Sequence, residues 1–136
     1  NISAGKRKTY CETRRVQSKV WDKLLSNIGH ILKNRTTDVP RLTLKSVINS
    51  ENVHEVGHMV DLGVTRGVDV VSLRFFQEDG VYDSDSKIIS KEQKIKFDEI
   101  LIDKINEYGY EKYEDDDSFI YNYKSQQTNT LLRGDV

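Results

Sequence analysis

A single cysteine, a single proline and a single methionine are spread through 136 residues. One thiol, Cys11, excludes an internal disulfide and falls short of any metal or cluster site that needs several thiolates. Such sparing use fits a reducing compartment, so a cytoplasmic location is expected. With one proline, Pro40, and no low-complexity run, nothing marks a linker between domains. No apolar stretch approaches the roughly 20 residues of a membrane span, and no signal peptide is visible. Excess charge of one sign is missing as well. Charged residues reach 32% but the net charge is −1, so no global field draws the chain to nucleic acid or to a membrane surface, and neither is expected as a partner. Basic clusters (Lys6-Arg7-Lys8 and Arg14-Arg15) and the acidic run Glu114 to Asp117 suit solvated loops and helix ends. The chain also opens without methionine, on Asn1-Ile2-Ser3-Ala4-Gly5, where Gly5 reads as the turn after a strand. A start partway through a larger fold is the expectation.

What is present is alternation. From Val16 to Leu32 the apolar residues Val20, Trp21, Leu24, Leu25, Ile28, Ile31 and Leu32 paint one face of a helix. Pro40 suits the beginning of a strand over Arg41 to Asn49, with Leu42, Leu44 and Ser46 opposite Thr43, Lys45 and Val47. Asn52 as N-cap and Glu55 three positions later spell a capping box. Val53, Val56, Val60 and Val64 then supply an inward stripe, and Gly63 and Gly67 mark the helix end. Asp69 to Phe76 is β-branched and aromatic, a buried strand. A polar loop over Gln77 to Lys87 leads to a helix from Lys91 to Tyr108 facing inward through Phe97, Ile100, Leu101, Ile105 and Tyr108. Ser118 to Tyr123 reads as a last short strand, and the tail from Lys124 has no periodicity. One domain over residues 1–123 with a loose tail over 124–136 is expected.

Strands joined by a helix are expected to be parallel neighbours, which gives an α/β layered fold. Three such repeats would make about half of a (β/α) barrel, with ligand chemistry at the carboxyl ends of the strands.

His54-Glu55-Val56-Gly57-His58 spells the zinc-hydrolase pattern, in which two histidines on one helix face bind the metal and the glutamate activates water. Its context is a fraying first turn, with Glu55 already assigned to capping. His30 belongs to another helix, so a third ligand would have to be a carboxylate such as Glu78. A capped surface helix accounts for the same residues.

Three segments carry a resemblance to a known family. Asn1-Ile2-Ser3-Ala4-Gly5 with Thr9-Tyr10 and Arg14-Arg15-Val16, then Trp21 to Ile28, then Leu42 through Phe76 with its N-x-x-E-V helix start and G-V-D-x-V strand, resemble the second half of a radical S-adenosylmethionine (SAM) enzyme core, SPASM-type or related. The likeness covers about two thirds of the chain and rests on order and spacing more than on any one motif. It implies a partial TIM-like barrel with parallel strands, about half of the radical SAM barrel. It also implies S-adenosylmethionine and a 4Fe–4S cluster as cofactors of the parent enzyme. Cluster ligands in the family sit in a C-x-x-x-C-x-x-C loop that this chain lacks, so the chain alone is expected to be inactive and to need the missing amino-terminal half as its partner. Carried over by position, Asn1 and Ser3 match polar positions facing the ribose or the methionine carboxylate. Arg14 matches a position that pairs with that carboxylate, and Val47 and Phe75 match apolar positions beside the adenine. The substrate, a small molecule or a peptide, is not specified by these residues. Two other readings stand beside this one: the zinc hydrolase, and a non-enzymatic α/β interaction module.

Overall fold

The computed structural model describes residues 1–37, 41–76, 87–109, 111–112 and 118–120. Pro40, most of the loop after Phe76, Glu78, the acidic run, residues 121–123 and the tail lie outside the described residues. Elements follow in the order α1 (Arg7–Arg14), α2 (Ser18–Asn34), β1 (Thr43–Ile48), a 3-10 turn (Val53–Glu55) continuing into α3 (Val56–Arg66), β2 (Val70–Phe75), α4 (Lys91–Tyr108), β3 (Glu111–Lys112) and β4 (Ser118–Ile120). The fold is mixed α/β around an open sheet of order β1-β2-β4-β3.

β1 and β2 are parallel, paired from Thr43 with Val70 through to Ile48 with Phe75, as the helix between them requires. Their register sorts the side chains. Leu44, Ser46 and Ile48 share one face with Val71, Leu73 and Phe75, and the helices cover it. α3 lies especially close there: a Cβ on Gly63 would fall 2.4 Å from Val71 Cγ2. Gly63 is therefore a packing contact within α3 rather than its end, which comes at Gly67. Val53, Val56 and Val60 are buried as their spacing predicts.

The amino-terminal segment forms a third lane. Ile2 N donates to Lys45 O at 2.8 Å, the Ser46 hydroxyl donates to Ile2 O, and Asn52 Nδ2 bridges Ser3 O and Val47 O at 3.1 and 2.9 Å. Contacts advance together along both stretches, so the segment runs in the same direction as β1.

The strand expected at Ser118 exists but breaks the parallel order. β4 runs antiparallel to β2, with Val70 opposite Ile120, and β3 is antiparallel to β4 in turn. The last part of the sheet is therefore a hairpin and not a further parallel strand. Gly109, in the left-handed region at φ 69°, stops α4, and β3 begins within a few residues. α4 is the crossover from β2 to β3, which runs in the same direction as β2, and β4 then folds back between them.

Two features fix the helices to the sheet. At the amino ends of the strands, Arg35 Nη1 and Nη2 donate to Asp69 Oδ2 and Oδ1 at 2.6 and 3.1 Å, and Oδ2 also accepts from Leu42 N at 2.8 Å. Asp69 is fully buried, so this two-pronged pairing compensates a charge that burial alone would forbid. At the start of α4, Ser90 and Gln93 form a complete capping box with bonds of 3.1 and 2.9 Å, and Gln93 Nε2 donates to Ser50 O, in the turn after β1, at 3.2 Å. α1 is an element that the sequence pattern did not predict. It packs on α2 through Tyr10, whose ring lies 5.1 Å from that of Trp21.

Candidate site at the carboxyl end of β1

Beyond Ile48 the chain turns sharply, and Asn52 organises the turn. Its Oδ1 accepts from Asn49 N at 2.9 Å while its Nδ2 makes the two bonds to Ser3 O and Val47 O. Asn52 is thus not the side-chain cap of its own helix, where no such bond forms. Instead, one buried amide fastens the end of the amino-terminal segment to the end of β1.

Glu55 does the same one turn later. The expected capping box is not made. Its carboxylate is 1% exposed, and Oε1 accepts from Gly5 N at 3.1 Å while Oε2 accepts from the Thr9 hydroxyl at 2.5 Å. Glu55 therefore anchors the segment that opens α1 across space, through the backbone just before the helix and a side chain in its first turn. Gly5 is needed for this approach. A Cβ there would lie 2.6 Å from His58 Cβ, 2.8 Å from Glu55 O and 2.8 Å from Met59 N. Two of those three atoms are backbone and cannot swing aside.

Ser3 and Val47 are joined through Asn52. Ile2 and Ala4 are fully buried under the helices, so Asn1 and Ser3 fall on the opposite side of the segment. By the pairing register Val47 shares that side with Thr43, Lys45 and Arg74. Ser3 and Val47 are half-buried and Asn1 is exposed. Val70 and Ser72 share this side and are buried, so the face is exposed at Thr43, Lys45 and Arg74 and closed beside β2.

Arg14 and Phe75 are not part of that face. Phe75 lies on the helix-covered side, 4.7 Å from the ring of Phe97 and beneath Lys94, whose Nζ is 4.5 Å from the Phe75 ring centre. Arg14 ends α1, roughly 12 Å of helix away from Gly5, and its guanidinium lies 5.4 Å from the Tyr10 ring centre.

The zinc pattern is also redistributed. His54 and His58 are exposed, and His54 Nε2 lies 3.4 Å from Glu55 Oε2. Glu55, the residue that would activate water, is engaged by Gly5 and Thr9. Among the described residues no group of three His, Cys, Asp or Glu side chains is placed to hold a metal ion. Among them too, no helix is long and apolar enough to cross a membrane.

Sequence reasoning placed Lys45 with Val47 on one face but missed Asn52 as a bridge and Arg74 as a companion of Val47 on that face. The strand alternation carried the signal for the second. For the first, only the nearness of Asn52 and Glu55 to a strand end offered a hint. Comparison with family models, with curated proteins and with solved structures returns no match to the chain.

Proposed function

We propose that this chain is the second half of a radical SAM enzyme core, and that Asn1, Ser3 and Val47 line its share of the S-adenosylmethionine site. The observation that carries the reading is the fastening of Ser3 to Val47 through Asn52 at the carboxyl end of parallel strands. That is the end at which parallel α/β folds bind ligands. Support also comes from the shared direction of residues 1–4, β1 and β2, joined through helices, as in a partial barrel. The half-barrel would comprise these lanes and their helices, with the β3–β4 hairpin as an addition to it.

In this reading Ser3 and Asn1 offer donors and acceptors to ribose or carboxylate oxygens, and Val47 offers adenine an apolar wall. Arg14 and Phe75, which the resemblance nominated, do not fit a shared pocket with them. One cysteine cannot ligate a 4Fe–4S cluster, so its thiolates would come from the missing amino-terminal half. S-adenosylmethionine cleavage therefore does not belong to this chain alone. The working protein would be a cytoplasmic enzyme acting on a small molecule or a peptide. Glu55 is committed to α1, and no observation favours zinc hydrolysis above this reading.

Titration of isotope-labelled protein with S-adenosylmethionine, followed by amide NMR, tests the proposal. Shifts should gather at Ser3 to Gly5, Val47 to Asn49 and Asn52, and Val47→Asp should abolish them. No shifts at millimolar ligand, or shifts gathered elsewhere, would refute it.

A further inference from the structure

We infer that this chain associates with a second copy of itself, the outer flank of α2 in one copy lying on the outer flank of α4 in the other. Neither flank is consumed by the core. α2 buries Trp21, Leu25 and Ile28, yet Val20 and Ile31 remain 38% and 39% exposed. With half-buried Leu24 and exposed Asn27 they form a row spaced four, three and four residues apart, the period of a helix-pairing seam. A shallow groove lies along Val20, Leu24 and Asn27 of this row, lined also by Tyr10, Lys19 and Lys23.

α4 carries the counterpart. It buries Phe97 and Leu101, while Ile95 and Ile102 project from the opposite side at 58% and 57% exposure. Glu92, Ile95, Glu99, Ile102 and Asn106 are spaced three, four, three and four apart, again a seam period. Both helices pack against α3, while Val20 and Ile31 of α2 and Ile95 and Ile102 of α4 stay exposed.

Charge decides which row meets which. The only acidic residue of α2, Asp22, is paired with Arg7 at 2.6 Å. Lys19 and Lys23 are in no ion pair among the described residues. On α4, Asp98 is paired with Lys94 at 2.7 Å, whereas Glu92 and Glu99 are in no ion pair among the described residues. Two α2 rows would set lysines against lysines, and two α4 rows would set glutamates against glutamates. Only α2 against α4 matches apolar row to apolar row and basic rim to acidic rim. Such a contact closes into a two-fold pair or extends head to tail. It is independent of the cofactor reading, and no nucleotide enters its test.

The test is sedimentation velocity from micromolar to millimolar protein, with two charge-reversed variants. Lys19→Glu with Lys23→Glu should weaken self-association about tenfold, because two small attractions become repulsions of similar size. Glu92→Lys with Glu99→Lys should do the same. An equimolar mixture of the two variants, and a chain carrying all four changes, should both recover wild-type association. All four positions are exposed, so the fold should persist, and circular dichroism checks that it does. A wild-type protein that stays monomeric throughout would overturn the inference. So would single-helix variants that associate like wild type, or a mixture that fails to recover.

Discussion

Replacing Glu55 by alanine should unlatch α1 before it disturbs the sheet. The buried carboxylate accepts one bond from Gly5 N and one from the Thr9 hydroxyl. Hydrogen bonds to a charged group contribute about 1.5–3 kcal/mol each, but Gly5 and Thr9 are half-buried, and water can replace part of what is lost. A total near the lower end, about 3 kcal/mol, follows for Glu55→Ala. Glu55→Gln keeps an acceptor and the side-chain shape, so its cost should be about 1 kcal/mol. Urea unfolding followed by circular dichroism gives the totals. Amide hydrogen exchange gives the location: Tyr10, whose N–H bonds to Lys6 O at 3.0 Å, should exchange faster while Leu44 and Val71 keep their protection. The fluorescence of Trp21, stacked on Tyr10, should shift in parallel. A change within about 0.5 kcal/mol for alanine, the range of ordinary surface substitutions, would refute the anchoring of α1 by Glu55. Uniform loss of protection across β1 and β2 would refute its confinement to α1.

Two further perturbations follow from the same geometry. Gly5→Ala should cost about 1–3 kcal/mol by overpacking, whereas Gly29→Ala, in the open interior of α2 with nothing within 4 Å of its Cβ, should stabilise by about 0.5–1 kcal/mol; thermal melts that move in the same direction would contradict both. Tyr108 donates to Asp61 Oδ1 at 2.6 Å, and that bond, with burial and the Asp61 charge, pushes its phenol up to about 12 from an ordinary 10.0. Lys104, 2.7 Å from the same oxygen, is raised for the same leading reason. Groups raised by folding stabilise below their unfolded values and lose that contribution as pH climbs through the folded ones. Urea midpoints should therefore hold to about pH 10 and fall toward about pH 12, and the fall should be smaller in Asp61→Asn; equal declines in both proteins would exclude this cluster as the cause.

The legible parts of the fold were those written in local periodicity. Leu44 and Ser46 inside against Thr43 and Lys45 outside, and the valine stripe of α3, follow directly from strand and helix spacing. α1 was not legible, because its first turn has no acidic residue and Tyr10 is its only buried side chain; the carboxylate that anchors its start comes from a distant part of the chain. Asn52 and Glu55 had the spacing of a local capping box, yet both reach across to the amino-terminal segment. Spacing names the groups available and leaves their partners open. The direction of β4 was hidden for a related reason, since alternation marks a strand without orienting it. Phe75 could be recognised as packed, but only the pairing with Ile48 says on which side. Of the candidate residues, the backbones of Ser3 and Val47 are bridged by Asn52, whereas Arg14 lies over Tyr10 and Phe75 against Phe97, partners that spacing does not name.

The short hairpin at the far side of β2 has a bearing on how this architecture could be enlarged. A two-residue terminal strand is a poor template for recruiting another. Among the described residues, the flank left for additional lanes is the one beside Ile2, which bonds to β1 through Lys45 O. Growth of the sheet is thus polarised toward one flank, and fusion partners meant to extend it belong ahead of Asn1.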